Sequence, residues 1–286
     1  MKIVYIGANG MLGRDVQAVA SRQGVEFTGL DLPQIDITNK MDVKNTLPDC
    51  DVVINGAAYT RVDDAEKEIT TARIINADGA GNVAEVCREK NIKLIHISTD
   101  YVFNGKKGTD YIESDPTDPL SVYGMTKWQG EVMVRNSGAR ALIVRAQSLY
   151  GIHGRNFVKA ILNQVIAGKK ELTVVSDQVS SPTYTMHLGE ALLNCAGLDK
   201  TGILHVASRD SCSWYQFAVE IIRLLNVRDV QVKPMPSSNL NYPAPRPAYS
   251  VLSTDLYTEW TGSLMPTWRD GLKAYLQEEP LARQLV

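Results

Sequence analysis

Cysteine and histidine are both scarce in this sequence, with four of each in 286 residues. The cysteines are too far apart for a CxxC motif, which argues against a zinc site or a disulfide framework; they are Cys50, Cys87, Cys195 and Cys212. The histidines have no metal-ligand spacing either, so no metal is predicted. We expect reduced, mostly buried thiols in a cytoplasmic protein.

Neither sign of charge dominates, since 30 lysines and arginines stand against 32 aspartates and glutamates, a formal net charge of -2. Phosphate binding depends on a basic surface, so we do not expect nucleic acid as a partner. No apolar run reaches the ~18 residues of a membrane span, so a membrane is not expected as a partner either. The opening MKIVYIG is too short for a signal peptide and indicates a strand.

The first half of the chain alternates segments typical of strands and of helices. Continuous apolar runs predict strands at 2–6, 25–31, 51–58, 93–98 and 140–146, and apolar spacings of three and four predict helices at 11–23 and 67–90. Such alternation is typical of parallel βαβ units. The predicted fold is therefore α/β, a Rossmann-type doubly wound parallel sheet with helices on both faces.

Beyond residue 148 the alternation is less regular. Helices are expected around 156–167, 187–196, 213–226 and 267–277, and short strands at 171–175, 203–207 and 230–233. Segment 234–249 contains five prolines, which exclude a helix or a central strand there. We predict a dinucleotide-binding domain at 1–149 and a smaller α/β substrate-binding lobe at 150–286, with 183–207 returning to the first domain.

A glycine loop follows the first predicted strand and opens the first predicted helix. Gly7 permits the tight turn, Gly10 allows a pyrophosphate to approach the backbone, and Gly13 lets helix and strand pack closely. The helix N-terminus, with Met11 and Leu12, offers free N–H groups to phosphates. The loop predicts a site for NADH or NADPH.

Two acidic residues bear on which dinucleotide binds. Asp31 closes the second predicted strand, where a carboxylate hydrogen-bonds ribose hydroxyls and repels a 2′-phosphate, so it favours NADH. Arg14 follows the last glycine and is a candidate partner for a phosphate, which leaves NADPH open. Asp36, with Ile37, is a second candidate for the cofactor site; the alternative is a turn aspartate.

Tyr123 and Lys127 form a YxxxK pair, whose i,i+4 spacing places both side chains on one helical face. A lysine cation one turn away should lower the tyrosine pKa and hold a ribose. Thr99 ends the fourth predicted strand, where its hydroxyl is expected to orient a carbonyl oxygen toward Tyr123. Small residues after the third strand allow a cofactor to lie against the backbone; the segment is Gly56, Ala57, Ala58 and Tyr59.

Several stretches extend these motifs over most of the chain. They are GANGMLG at 7–13, NGAAYTRVDDAE at 55–66, STDYVFNG at 98–105, DPLSVYGMTKWQGE at 118–131, SDQVSSPT at 176–183 and RPAYSVLST at 246–254. On these stretches the sequence resembles the dTDP-4-dehydrorhamnose reductase family of the extended short-chain dehydrogenases/reductases. The resemblance implies NAD(P)H-dependent reduction of the 4-keto group of a nucleotide-linked 6-deoxyhexose, with dTDP-4-dehydro-L-rhamnose as the expected substrate.

The resemblance also implies roles for individual residues. Asn76 matches the helix asparagine that completes a proton relay; the alternative is a helix-surface or packing asparagine. Asp100, Tyr101 and Phe103 would line the sugar, and Arg246 would meet the diphosphate. A glutamate that sugar-nucleotide dehydratases carry after the threonine-aspartate pair is absent here, which favours plain reduction. A homodimer is left open.

One position departs from the family pattern. The family usually has Arg-Thr-Ser-Trp-Val-Tyr-Gly at the fifth strand's end, with the tryptophan near the sugar, whereas this chain has Ser148 at the tryptophan's position. The alternatives are another sugar-nucleotide reductase or epimerase, or a non-catalytic regulatory subunit resembling the methionine adenosyltransferase β subunit. The retained Thr99, Tyr123 and Lys127 favour the enzyme.

Overall fold

The computed structural model describes residues 1–285. In these residues the strands are β1 (Lys2–Ile6), β2 (Glu26–Leu30), β3 (Val52–Asn55), β4 (Lys93–Thr99), β5 (Ala141–Ala146), β6 (Leu149–Tyr150), β7 (Glu171–Val175), β8 (Val179–Ser180), β9 (Thr183–Tyr184), β10 (Gly202–His205), β11 (Cys212–Ser213) and β12 (Gln231–Met235).

The α-helices of the same residues are α1 (Met11–Arg22), α2 (Lys40–Thr46), α3 (Val62–Ala65), α4 (Ile69–Arg73), α5 (Ala80–Glu89), α6 (Val122–Asn136), α7 (Phe157–Ile166), α8 (Thr185–Ala196), α9 (Trp214–Leu224), α10 (Asp255–Thr261) and α11 (Trp268–Glu278). A π-helical segment, Ile74–Gly79, joins α4 to α5, and short 3-10 turns occupy Asp100–Val102, Ser237–Asn239 and Ala282–Gln284.

The central sheet is parallel and has the strand order β10-β5-β4-β3-β1-β2. Alternate residues of β1 enter two different apolar clusters: Ile3 and Tyr5 face one side, and Val4 and Ile6 the other. The predicted Rossmann-type α/β fold is thus confirmed. The chain places β2 on one side of β1 and β3 on the other, so the strand order reverses at β1. In open α/β sheets, ligands bind at such a reversal, beyond the carboxyl ends of the strands.

Helices cover both faces of this sheet. On one face α1 packs on α8, and Val16 and Leu192 belong to the same buried cluster. On the other face α5 packs against α2 and α6, and Val43, Val83 and Val134 share a second cluster. Because apolar helices lie on both sides, the inner strands β1, β3 and β5 are mostly apolar, whereas the edge strand β2 (EFTGL) is more polar and more exposed.

The predicted helix at 67–90 is interrupted. It consists of α4, the π-helical segment and α5. Gly79 ends the π-helical segment, and a Cβ there would lie 2.8 Å from Ile37 Cδ1. The sequence analysis also missed α2, which Asn39 caps by accepting hydrogen bonds from the backbone N–H groups of Met41 and Asp42. π-Helical turns occur frequently at functional sites, and this one carries Asn76.

The chain after β5 forms three two-stranded sheets, β6/β9, β7/β12 and β8/β11, next to α7, α9 and α11. Pro234 lies in β12, whose only partner among the described residues is the parallel strand β7, so the proline occupies an edge position. An aromatic group fills the space between these elements; it comprises Tyr150, Tyr184, Phe217, Trp268 and Tyr275. β10 and α8 are the two late elements that join the central sheet and its helices.

Among the helices of residues 1–285, none combines the length and the apolar character that crossing a lipid bilayer requires.

Candidate active site

The glycine loop lies at the carboxyl end of β1 and leads into α1. Gly7 has φ +90, and a Cβ on it would lie 2.8 Å from the backbone N of Ala57 in the loop after β3. A Cβ on Gly13 would lie 2.7 Å from Ala8 Cα. Gly10 caps α1 without a side-chain hydrogen bond, and the first turn holds no acidic residue, so its N–H groups suit an anion.

Asp31 reaches this loop from the end of β2. One carboxylate oxygen accepts the backbone N–H of Asn9 at 2.8 Å, and the other accepts that of Leu32 at 2.8 Å. The carboxylate therefore fixes the shape of the glycine loop and places a negative charge beside it. The sequence did not reveal the first of these roles. Arg14 donates its Nε–H to the Asn9 carbonyl at 3.1 Å.

Asp36 is engaged in a local turn. Its Oδ1 accepts hydrogen bonds from the Thr38 backbone N–H at 2.9 Å and from the Thr38 hydroxyl at 2.7 Å. Ile37 is buried against the sheet side that carries α5. Asp36 thus has the turn role that the sequence analysis weighed as the alternative, and a contact of either residue with a cofactor stays a prediction.

The loop after β3 is held by Asn76 from the π-helical segment. Asn76 Oδ1 accepts the Tyr59 N–H at 2.8 Å, and its Nδ2 donates to the Tyr59 carbonyl at 3.1 Å and to Thr126 Oγ1 at 3.1 Å. The Thr126 hydroxyl in turn donates to the carbonyl of Tyr123 at 3.0 Å. Asn76 thus links the Tyr59 loop to α6, and its expected part in a proton relay stays a prediction.

Thr99, Tyr123 and Lys127 converge at the carboxyl end of β4. The Thr99 hydroxyl donates to Asp100 Oδ1 at 3.1 Å, accepts the Tyr101 N–H at 3.2 Å, and lies close enough to the Tyr123 side chain to affect its pKa. Lys127 is 2% exposed and donates from Nζ to the Ile97 carbonyl at 2.6 Å. A strand-end hydroxyl and a helix-borne tyrosine and lysine thus meet at one place.

The expected lowering of the Tyr123 pKa by Lys127 is wrong. Burial raises the Tyr123 pKa to about 12, and the nearby Thr99 hydroxyl opposes this rise only in part. Burial also lowers the pKa of Lys127 to about 8, while the charge of Glu131 one turn further along α6 acts in the opposite direction. Tyr123 is consequently a protonated hydroxyl here, suited to donating a proton.

Asp100 lies beside this group and is 2% exposed. Burial raises the pKa of its carboxyl to about 6, although the nearby hydroxyls of Ser250 and Thr99 favour the ionised form. The ring of Tyr101 meets that of Tyr123 edge-on, with centroids 5.6 Å apart. Two of the residues expected to line the sugar, Asp100 and Tyr101, therefore adjoin the candidate catalytic groups.

A cavity opens next to Asp100 and collects side chains from distant parts of the chain. It is lined by Asp100, Tyr101, Ser148, Gln178, Val179, Ser180, Trp214, Arg246, Pro247 and Ser250. Four expected substrate residues are among them: Asp100, Tyr101, Ser148 and Arg246. Ser148 has φ +48, and its hydroxyl lies 2.8 Å from that of Ser180.

Phe103 does not belong to this cavity, and its expected place along the sugar is wrong. Its side chain is fully buried and stacks on Tyr111 with centroids 4.1 Å apart, while the Arg145 guanidinium lies 5.0 Å from its ring centroid. The reason is the 3-10 turn Asp100–Val102, which follows Thr99 directly and returns the chain to an apolar cluster with Val102.

Arg246 reaches the cavity from the proline-rich segment and is tied to Asp63 of α3. Its two terminal nitrogens donate to the two carboxylate oxygens of Asp63 at 3.0 and 2.8 Å, which lowers the Asp63 pKa. The guanidinium also lies 3.8 Å from the centroid of the Tyr242 ring. Asp63 thus occupies the two-pronged face of the guanidinium, and a contact of Arg246 with a diphosphate stays a prediction.

Sequence reasoning missed several residues of this site as individual contributors. Asp63, Gln178, Ser180, Pro247 and Ser250 all lie within the stretches quoted for the family resemblance, so those stretches were the available signal. Trp214 lies outside them, and its position depends on the pairing of β11 with β8, which the sequence did not reveal.

The fold and these side chains define a class of protein. A glycine cradle at the sheet's reversal, with a threonine, a tyrosine and a lysine beside it, is the arrangement of a dinucleotide-dependent oxidoreductase of the short-chain dehydrogenase/reductase type.

Comparison with known proteins narrows this class. The family model "RmlD substrate binding domain" matches residues 1–280. The chain is 39% identical over 275 residues to a dTDP-4-dehydrorhamnose reductase of Mycolicibacterium smegmatis, covering 95% of this chain and 84% of that protein. It is 38% identical over 283 residues to the spore coat polysaccharide biosynthesis protein SpsK of Bacillus subtilis, covering 98% and 99%.

A solved structure agrees with these matches. The dTDP-4-dehydrorhamnose reductase of Bacillus anthracis, in complex with NADP, superposes with a TM-score of 0.91 at 36% identity, covering 97% of this chain and 100% of that one. The chain therefore belongs to the RmlD substrate-binding domain family, the family of the dTDP-4-dehydrorhamnose reductases, as the sequence motifs predicted.

Proposed function

We propose that this protein reduces the 4-keto group of a nucleotide-linked 6-deoxyhexose, converting dTDP-4-dehydro-L-rhamnose to dTDP-L-rhamnose with NADH or NADPH. One observation carries the proposal: the Thr99 hydroxyl, which influences the pKa of Tyr123, donates at 3.1 Å to Asp100, and Asp100 lines the cavity. The relatives' names support the substrate class, since the M. smegmatis and B. anthracis proteins are both dTDP-4-dehydrorhamnose reductases.

The residues present fit a nicotinamide dinucleotide. Gly7 and Gly13 leave room where a Cβ would collide with the backbone of Ala57 and of Ala8, and the uncapped start of α1 offers N–H groups to a pyrophosphate. Met11, Leu12, Gly56, Ala57, Ala58 and Tyr59 would complete the site. When bound, the reduced nicotinamide supplies the hydride.

Residues of this chain donate the proton that the ketone oxygen receives. Tyr123 donates its phenolic proton to the ketone oxygen, and Thr99 orients that oxygen by hydrogen bonding. Lys127 keeps ammonium protons free besides the one donated to Ile97, and these hold the ribose hydroxyls and stabilise the tyrosinate left after proton transfer. Asn76 fixes the spacing between the Tyr59 loop and α6.

A separate set of residues binds the sugar and the diphosphate of the substrate. Asp100 and Tyr101 contact the sugar, Ser148 contributes to its pocket, and Arg246 meets the diphosphate with charge-assisted hydrogen bonds. In this division residues 1–149 bind the dinucleotide and 150–286 the substrate, with 183–207 returning to the first domain. A homodimer remains a prediction.

A spectrophotometric assay tests the proposal. Oxidation of NADH or NADPH is followed at saturating enzyme with a dTDP-4-keto-6-deoxyhexose, and with the UDP and GDP analogues as controls. We expect turnover with the dTDP sugar and much less with the others. Dinucleotide binding without turnover on any of the three sugars would contradict the function.

A further inference from the structure

The cavity beside Asp100 has one aromatic wall that the proposed chemistry leaves unassigned. Tyr101 packs edge-on against Tyr123 and so belongs to the reacting end, and Arg246 with its Asp63 partner marks the anionic end. Trp214 lines the same cavity and is partly exposed. No hydrogen-bonding or acid–base step of the proposed function uses it.

The fold holds Trp214 in a fixed place. The short antiparallel ladder of β11 with β8 pairs Ser213 with Val179 and Cys212 with Ser180, and both β8 residues line the cavity. Ser213 then caps α9 through a capping box, so Trp214 occupies the first helical position. Its ring is supported from behind by Phe157, with centroids 4.7 Å apart.

Two of the other lining residues, Ser148 and Ser180, are small and polar. Ser148 and Ser180 bond to each other through their hydroxyls, so neither extends a large side chain into the space near Trp214. A hexose that lacks its 6-hydroxyl has an apolar methyl and a C–H face as well as its polar groups. An indole is the surface that suits such a face, because it gives a large apolar contact without hydrogen-bonding requirements on its ring faces.

We propose that Trp214 is a specificity-determining residue of the sugar pocket, which packs its indole on the apolar face and C6 methyl of the 6-deoxyhexose. The inference rests on the proposed function for the identity of the sugar. It makes a separate claim, since Trp214 should contribute to the binding of the sugar and not to that of the nucleotide or to proton transfer.

Binding measurements on the ligand pair dTDP-L-rhamnose and dTDP test this claim. In Trp214→Ala the Kd for dTDP-L-rhamnose should rise by roughly tenfold, the scale of an apolar pocket contact, while the Kd for dTDP stays unchanged. KM should rise with little change in kcat, because the contact is the same in ground and transition states. Trp214→Phe should restore most of the affinity and also guards against a misfolded alanine variant.

Tryptophan fluorescence gives a readout independent of activity. Binding of dTDP-L-rhamnose should change the tryptophan emission of the wild type, and should change that of Trp214→Phe much less. The control is Trp260→Phe, which removes a ring outside the cavity lining and should respond like the wild type. The wild-type preference for dTDP-L-rhamnose over its 6-hydroxy analogue, dTDP-L-mannose, should shrink in Trp214→Ala. Equal Kd values for dTDP-L-rhamnose in the wild type and Trp214→Ala would overturn this inference alone. A wild type that binds neither dTDP nor its sugars would overturn the proposed function and the inference together.

Discussion

Glu131 and Arg145 form a fully buried, two-pronged ion pair behind the candidate catalytic groups. Arg145 Nε donates to one Glu131 carboxylate oxygen at 2.9 Å and a terminal nitrogen to the other at 2.8 Å, with side-chain exposures of 2% and 0%. The Ser98 hydroxyl donates to the same carboxylate at 2.6 Å. Because Glu131 lies one turn after Lys127, this pair fixes α6 to β4 and β5 at the site.

Breaking this pair should destabilise the protein strongly. Arg145→Met leaves the Glu131 charge buried without its partner, and we expect a loss of about 3–5 kcal/mol in the free energy of unfolding. Urea denaturation measures it. The control is Arg223→Met, which removes an exposed ion pair with Glu220 and should cost less than about 1 kcal/mol.

A double variant separates charge burial from lost packing. Arg145→Met combined with Glu131→Leu removes both charges, so it should be more stable than Arg145→Met alone. Equal losses for Arg145→Met and Arg223→Met would show that the buried pair contributes no more than a surface pair.

Tyr123→Phe removes only the hydroxyl that is proposed to donate the proton. General acid–base catalysis contributes about 10²–10⁴-fold, so kcat should fall by that factor while the Kd of the dinucleotide barely moves. Stopped-flow or steady-state kinetics and a fluorescence titration measure the two quantities. Tyr215→Phe, on α9 and outside the cavity lining, is the matched control; near-normal turnover in Tyr123→Phe would refute the role.

The sheet and the glycine loop were predictable because they depend on local patterns. Short apolar or β-rich segments indicated all five strands of the first half, and Gly7, Gly10 and Gly13 occupied the expected strand–loop–helix context. The π-helical segment within the 67–90 helix was not predictable, because apolar spacings of three and four do not distinguish it from an α-helix.

The candidate site was predictable only in part for the same reason. Thr99 and Tyr123 carry chemistry in their own motifs, whereas Trp214 reaches the cavity through the pairing of residues 212–213 with residues 179–180. Phe103 was misplaced because closeness in sequence to a strand end does not fix a side chain's direction. The 3-10 turn after Thr99 turns it back into the core.

Asp31 should set the preference between the two dinucleotides. Asp31→Asn removes a charge that opposes a 2′-phosphate, so the ratio of the Kd for NADPH to that for NADH should fall roughly fivefold, equivalent to about 1 kcal/mol between charges across water. Both affinities should also weaken somewhat, because the carboxylate holds the Asn9 and Leu32 N–H groups. Calorimetric titration of both cofactors measures the ratio.

Asp36→Asn is the comparison variant for this experiment. Its Oδ1 is occupied by the Thr38 turn, which an asparagine keeps, so the Kd ratio should stay near the wild-type value. A wild type that already prefers NADPH strongly would show that a cation such as Arg14 outweighs Asp31.

Asp100 should make stability depend on pH in the acidic range. Burial raises its pKa from the ordinary 3.8 to about 6, so the folded state holds a proton that the unfolded state has lost between these two values. The wild-type free energy of unfolding minus that of Asp100→Asn should therefore fall as pH rises from about 4 to 6. Above pH 6 this difference should level off. The total decrease is about 3 kcal/mol, at about 1.4 kcal/mol per pH unit.

Chemical denaturation of both proteins at pH 4, 5, 6 and 7 measures this decrease, with Asp49→Asn as the control for an exposed carboxylate. A difference between wild type and Asp100→Asn that stays constant over this range would show that the Asp100 carboxyl ionises in the folded protein as it does in the unfolded chain.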